Sequence, residues 1–300
     1  MFHVAAFYKF CPLPADTLPD RRSAVQTFCA ERGICGLFLL GTEGVNATVC
    51  GSEEAIADFL AYLQSRTEIG TLAVKRGTCD TQAFDRLKVE SRAEIVSSGR
   101  PDIVPAPNAD PSHLSPKQWH ELLTGDADYT LIDTRNDFEV GIGAFPGAVN
   151  PHTTDFAQFP DWVRESELPK NKPVLMYCTG GIRCEKAALV MREAGYENVY
   201  QLDGGILNYL EAYPDGQFDG ECFVFDRRVA VDQHLQPTTV YTICPLCGDP
   251  GKEAITCKQC GKPGIVCRKC ADTAGRRVCS QNCEYHLSLR TNPRQYRHNK

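Results

Sequence analysis

Residues 173–184 read PVLMYCTGGIRC, and this stretch holds the residue types that could do covalent chemistry. Pro173 and the apolar run Val174–Tyr177 predict a short buried strand. After the loop, Ala187, Val190, Met191 and Ala194 keep helical spacing, and Gly195 predicts the helix end. Cys178 therefore leaves the carboxyl end of a strand, and Thr179, Gly180, Gly181 and Ile182 lead into a helix N-terminus, where backbone N–H groups and the helix dipole favour an anion. Both effects favour thiolate over thiol, which makes the Cys178 sulfur a nucleophile. Gly180 and Gly181 allow the backbone to turn its amides inward, and Arg183 adds a positive charge at the far end of the loop.

The spacing Cys178-x4-Arg183 encloses a six-residue cradle. Cysteine phosphatases use Cys-x5-Arg, and position 184 here is cysteine, so phosphoryl transfer is disfavoured. The smaller cradle suits the terminal sulfur of a persulfide. Cys184 is a candidate to resolve such a persulfide as an internal disulfide, or it simply packs under the helix start. The plain alternative for Cys178 itself is a buried structural cysteine before a turn.

A second constellation lies in the last 57 residues: Cys244-x2-Cys247, Cys257-x2-Cys260, Cys267-x2-Cys270 and Cys279-x3-Cys283. A short turn presents two thiolates to one ion, so four such pairs predict two structural zinc sites with no ligand left over. A disulfide-stapled tail is the competing reading, but nothing indicates secretion, and cytosolic thiols are kept reduced. Sequential pairing and an interleaved, cross-braced pairing are both open, and His286 could replace a thiolate. The other cysteines are scattered. Cys29, Cys35, Cys50 and Cys79 read as small core residues, while Cys11 and Cys222 are undecided.

Charge is distributed unevenly. From Cys244 to Lys300 there are 11 Lys and Arg against 4 Asp and Glu, leaving 21 basic and 34 acidic residues before it. A basic tail on an acidic body suggests a polyanionic partner such as nucleic acid, although a merely solvated tail explains it too. Eight thiolates with two dications add about −4, which narrows the basic patch to Arg276, Arg277, Arg290, Arg294, Arg297 and Lys300. Tyr296 lies among them and could stack on a base.

The elements that must position these groups are legible from pattern. Residues 3–10 predict a strand, 20–32 a helix, and 34–41 and 45–51 paired strands joined by Thr42-Glu43-Gly44. Ser52 with Glu53 and Glu54 starts a helix whose buried face is Ile56, Phe59, Leu60 and Leu63. Leu72–Arg76 supplies a fourth strand, which completes a ferredoxin-like β-α-β-β-α-β order. Gly44 and Asn46 read as turn chemistry, and the Asn46-Ala47-Thr48 glycosylation triplet as meaningless in a cytosolic strand. Four prolines between 99 and 113 (101, 105, 107 and 111) predict an extended linker. Tyr129–Asp133 is a buried strand ending in acid, and Asp133 and Arg135 are expected to position the fold rather than react. Glu221, Asp226, Arg227 and Arg228 could contribute to an active surface, with surface salt pairs the simpler explanation.

With 300 residues, 42% hydrophobic and 23% charged, the chain has ordinary globular usage, which excludes a mainly disordered, collagen-like or coiled-coil protein. No stretch approaches the roughly 20 apolar residues of a membrane span, and the opening MFHVAAFYKFCPLP has no signal-peptide pattern. The expectation is a soluble, cytoplasmic protein. No flavin, haem, non-haem iron or dinucleotide-binding pattern is evident.

Asp133-Thr134-Arg135, the box Gly143-Ala144-Phe145-Pro146-Gly147-Ala148, the Cys178–Arg183 loop and Asp203-Gly204-Gly205-Ile206 together resemble a rhodanese domain over about residues 114–214. CTGGIRCEKA, GGILNYLE, GECFVFDRRVAVD at 220–232 and LLGTEGVNATVCGS at 39–52 narrow this: the chain resembles the rhodanese-containing tRNA uridine hydroxylase family over roughly residues 3–235. The resemblance implies oxygen-dependent formation of 5-hydroxyuridine at position 34 of tRNA, with Cys178 matching the catalytic cysteine and a persulfide intermediate. Two features depart from the pattern. Common rhodaneses carry Gly-His-Ile before Pro-Gly-Ala, where this chain has Gly143-Ala144-Phe145, and the eight-cysteine tail resembles only some longer relatives. The fold expected is mixed α/β and α+β. A ferredoxin-like domain (1–98) and linker (99–113) precede a rhodanese α/β domain with a parallel sheet (114–214), an extension (215–243) and a zinc-binding cysteine-rich module with a basic tail (244–300). A thiosulfate or persulfide sulfurtransferase using a small sulfur donor is the runner-up function, and a non-enzymatic zinc adaptor the third.

Overall fold

The structure is a computed structural model that describes residues 1–106 and 112–291. Pro107 and Pro111 of the expected linker, and Arg294, Tyr296, Arg297 and Lys300 of the basic tail, lie outside the described residues. The chain divides into two compact units, Met1–Pro237 and Thr238 onward.

The first unit opens with β1 (Phe2–Phe10), α1 (Leu18–Glu31), β2 (Cys35–Gly41), β3 (Gly44–Gly51), α2 (Glu53–Gln64), β4 (Lys75–Cys79) and β5 (Leu87–Ser91). Their sheet runs β4-β1-β3-β2-β5, the ferredoxin-like order with one strand added. Ser52 caps α2 by accepting from the Ala55 N–H, and Ile56, Phe59, Leu60 and Leu63 are buried against the sheet as their spacing predicted. The fourth strand falls at Lys75–Cys79 rather than Leu72–Arg76. Leu72 is apolar because it packs in the core with α2, whereas the backbone that pairs with β1 begins at Lys75. β5 was not anticipated; it is short and pairs in parallel with β2. At the β2–β3 turn Gly44 has φ +140°, and a Cβ there would lie 2.0 Å from the Lys9 carbonyl oxygen. Only glycine fits.

A parallel sheet follows in the order β6 (His113–Leu114), β10 (Val199–Leu202), β9 (Val174–Tyr177), β7 (Thr130–Asp133). The remaining elements of this half are α3 (Pro116–Thr124), α4 (Asp137–Val140), β8 (Gly143–Ala144), α5 (Phe159–Glu165), α6 (Ile182–Glu193) and α7 (Gly205–Ala212). All four residues of β9 are buried, as a central parallel strand demands. Val174 and Met176 face the cluster that includes α5 and α6, and Leu175 and Tyr177 face the one that includes α3 and α7. Asp133 and Arg135 form a fully buried pair, with Arg135 Nε 2.9 Å from Asp133 Oδ1, and Arg135 also donates to the Gly143 carbonyl. Ile103, from the proline-rich stretch, is buried in the α5–α6 cluster.

The unit closes with β11 (Asp219–Gly220), which pairs with β8, and the hairpin β12 (Cys222–Phe223)–β13 (Ala230–Val231). The second unit contains β14 (Thr242–Ile243), β15 (Pro250–Gly251), β16 (Glu253–Thr256), β17 (Pro263–Val266), α8 (Arg268–Asp272) and α9 (Gln281–Thr291). No described helix is long and apolar enough to cross a membrane.

Candidate active site

Cys178 follows the last residue of β9, and its Sγ accepts a hydrogen bond from the Gly181 N–H at 3.1 Å. The loop is held from outside by the start of α7: Ile206 N–H donates to the Cys178 carbonyl at 2.9 Å and Leu207 N–H to the Thr179 carbonyl at 3.1 Å. With those carbonyls tied backward, loop amides turn toward the sulfur. Gly181 has φ +101°, and α6 begins at the next residue, Ile182, so the strand–loop–helix expected around Cys178 is present.

Burial of Cys178 opposes its ionisation. Against it act a hydrogen bond from Cys184, the Arg183 guanidinium, and the Arg183 and Gly181 N–H groups, which together lower the Cys178 thiol to about 5. Burial and the neighbouring sulfur push Cys184 the other way, well above its ordinary value, and its Sγ lies 3.5 Å from the Thr134 hydroxyl. One thiolate beside one thiol is the stable arrangement of this pair. Arg183 is not the free charge that its place in the sequence suggested. It grips the buried Glu139 of α4 at 2.6 and 2.8 Å, with the Thr179 hydroxyl 3.4 Å away. The guanidinium supports the sulfur as one half of a buried pair, and Glu139 is itself held by the Asn136 N–H.

The sulfur opens into a cavity of about 340 Å³ shared between the Cys178 loop and the amino-terminal sheet. Tyr8 (β1), Asn46 and Thr48 (β3) and Lys75 (β4) line it opposite Cys178. The Tyr8 hydroxyl donates to Glu185 Oε1 at 2.8 Å, and His113 Nε2 is 3.1 Å from the same oxygen. Lys75 Nζ lies 5.1 Å from the centre of the Tyr8 ring, and burial lowers its pKa. Asp226 and Arg228 also line the cavity and pair with each other at 2.6 and 2.9 Å, whereas Arg227 pairs with Asp85 at the surface. Sequence reading missed Tyr8, Lys75 and Glu139 and assigned Asn46 to turn chemistry. The available signal was strand alternation: Phe7 points into the core under α1 and α2, so Tyr8 points to the other face.

Three family models match in succession: a UPF0176 acylphosphatase-like domain at residues 2–95, a rhodanese-like domain at 115–212 and a rhodanese C-terminal domain at 219–284. A tRNA uridine(34) hydroxylase of Bdellovibrio bacteriovorus is 43% identical over 288 residues, covering 95% of this chain and 81% of the relative. Another, from Synechococcus elongatus, is 46% identical over 258 residues, covering 85% and 93%. The chain belongs to the tRNA uridine(34) hydroxylase family.

In this member of the tRNA uridine(34) hydroxylase family, Ala144 stands where common rhodaneses have the histidine, half-buried in β8 opposite Asp219, and Phe145 stands where they have the isoleucine. Phe145 is buried, and its ring meets those of Tyr177, Tyr209 and Phe218 edge-on at 4.8, 4.9 and 5.3 Å.

The second unit brings the eight tail cysteines into two sets, Cys244, Cys247, Cys267, Cys270 and Cys257, Cys260, Cys279, Cys283, each with its sulfurs within 4.8 Å of one another. The pairing is therefore interleaved, and His286 belongs to neither set. Cys247 and Cys267 sulfurs are 3.4 Å apart, and Cys260 and Cys279 3.6 Å. A tetrahedral ion with metal–sulfur bonds of about 2.3 Å sets sulfurs about 3.8 Å apart, so both sets fit a soft tetrahedral cation. Of the expected basic patch, Arg276 is engaged by Glu284 at 2.8 Å and the Leu246 carbonyl at 3.2 Å. Arg277 and Arg290 are exposed.

Proposed function

We propose that this chain hydroxylates uridine 34 of tRNA at C5, with Cys178 as the reacting nucleophile. The observation that carries the reading is an anionic sulfur on the wall of a cavity large enough for a pyrimidine, in a chain of this family. A base in the single-stranded anticodon loop can be turned out of its stack at small cost and presented to such a cavity. Addition of the sulfur to C6 of uracil moves the C5=C6 electron pair toward C5 and O4, which makes C5 the atom that takes up oxygen. Loss of the C5 proton and expulsion of the sulfur restore the double bond in the 5-hydroxy product. With dioxygen as oxygen donor, one atom enters C5 and the other leaves as water, drawing two electrons from an external reductant.

The loop Thr179, Gly180, Gly181, Ile182 and Arg183 holds the anion, and Cys184 shares its proton with Cys178 as the neighbouring, resolving thiol. Two zinc ions occupy the two four-cysteine sets and supply structure, since zinc has no redox chemistry. The exposed Arg277 and Arg290, with Arg294, Arg297 and Lys300 beyond the described residues, contact tRNA phosphates. Functional divisions follow residues 1–98, 114–214 and 244–300, joined by 99–113 and 215–243, and the work is done in the cytoplasm.

Nucleoside mass spectrometry on a deletion strain tests the reading. Parent chain restores 5-hydroxyuridine and Cys178→Ala does not. If the deletion leaves the nucleoside untouched while purified protein turns over thiosulfate, the chain is a sulfurtransferase instead.

A further inference from the structure

The amino-terminal sheet has two faces, and α1 and α2 cover only one. The opposite face sends Tyr8, Asn46, Thr48 and Lys75 into the cavity with Cys178, and Asn46 and Lys75 have polar atoms left to offer a ligand. Asn46 Nδ2 donates to the Ile95 carbonyl at 2.8 Å. A carbonyl accepts only from the amide nitrogen, so the side chain's orientation is fixed and Oδ1 is the free end. No described residue donates to it. Lys75 has no carboxylate within ion-pair distance among the described residues and rests on the Tyr8 ring. The cavity's two arginines are already engaged, Arg183 by Glu139 and Arg228 by Asp226. On this face the pocket therefore presents a fixed acceptor at Asn46 and an uncommitted donor at Lys75.

Strand register places them across the sheet. Lys75 is opposite Ala6, Ala6 is opposite Thr48, and Tyr8 is opposite Asn46. Lys75 and Asn46 are thus two strands and two residues apart, about 12 Å between Cα positions. The small Ala6 leaves the space between them open.

We propose that this face reads the pyrimidine: Asn46 Oδ1 accepts the uracil N3–H and Lys75 Nζ donates to the ring carbonyl oxygen O4, so uracil is taken and cytosine refused. The inference rests on the function proposed above and assigns the specificity of that same site to the amino-terminal domain. Cytosine presents an acceptor at N3 and a donor at N4, so each contact would meet its own kind. A site built to hydrogen-bond a substrate group rejects the analogue that lacks it far more strongly than an apolar pocket could. Both residues are specificity residues that touch the base.

The test uses the full metal-loaded chain and anticodon stem-loops carrying uridine or cytidine at position 34, read by equilibrium binding and by single-turnover hydroxylation. The parent prefers uridine. Asn46→Leu and Lys75→Met each reduce that preference about tenfold to a hundredfold, and Lys75→Arg, which keeps a donor, recovers part of it. Asn46→Leu leaves the iodoacetamide alkylation rate of Cys178 at the parental value, which shows that the loop is intact. Parental uridine preference in both Asn46→Leu and Lys75→Met overturns the inference, as does a loss in Asn46→Leu that merely tracks slower Cys178 alkylation. A parent that binds uridine stem-loops selectively but does not hydroxylate them defeats the function while sustaining the recognition. A parent that shows no uridine preference defeats the recognition.

Discussion

Burial alone would keep the Cys178 thiol protonated at neutral pH. Its lowered value comes from the Cys184 thiol and two backbone N–H groups that donate to the sulfur, and from the positive charge of the Arg183 guanidinium nearby. Because the folded value of about 5 lies below the ordinary 9.0, ionisation stabilises the fold fully above pH 9. That contribution shrinks as pH falls and is gone below about 5. The reactive anion has the same lower limit. Iodoacetamide alkylation of Cys178 is expected to hold a plateau above about pH 6 and to reach half of it near 5. Cys184→Ala, which removes a hydrogen bond to a charged group, moves that midpoint up by about 1–2 units. Cys184→Ser keeps a donor and retains partial hydroxylase activity, whereas Cys178→Ser has none. Equal midpoints for Cys184→Ala and the parent would show that the second sulfur does not hold the first.

The loop depends on its neighbours as much as on its own residues. Gly205, at the start of α7, has φ +69°, and a Cβ there would lie 2.5 Å from the Cys178 carbonyl oxygen and 2.8 Å from the Gly181 nitrogen. Gly205→Ala is therefore expected to cost about 1–3 kcal/mol in backbone strain and to push the loop off the sulfur. The measurable outcome is a lower thermal midpoint with hydroxylase activity reduced more than folded population. A variant that loses stability but keeps full turnover per folded molecule would mean that α7 does not shape the loop. The Asp203-Gly204-Gly205-Ile206 signature was readable as part of a family pattern; its physical duty, close approach to the Cys178 loop, required α7 and β9 to be adjacent.

Across the whole first unit, Lys186 joins the two halves that line the cavity. It is fully buried on α6, 2.9 Å from Glu43 at the β2–β3 turn and 2.7 Å from Glu94. Thr42-Glu43-Gly44 is therefore more than a hairpin connection, because its carboxylate reaches the helix that carries Arg183. The second unit is organised differently. Of the eight buried residues in its core cluster, four are metal-set cysteines, too little apolar material to hold some 60 residues without staples. Metal analysis of protein purified under reducing conditions is expected to give about two zinc ions per chain. Chelation should unfold the region after Thr238 while amide protection of β1–β10 persists. Retention of full protection in the chelated tail would show that the cysteines fold the unit without metal.

Strongly local signals determined much of this protein. The Val174–Tyr177 strand, the cysteine at its end, the helix after it, the capped α2 and the four cysteine pairs are all set by period, capping and spacing within a dozen residues. The tertiary structure decided what depends on residues far apart in the chain. It interleaved the two thiolate sets, tied Arg183 to Glu139 and engaged Arg276, and it turned Tyr8, Asn46 and Lys75 toward Cys178. A polar residue on one face of a strand looks alike in sequence whether that face meets water or a catalytic loop. Only the packing of a second domain onto it distinguishes the two.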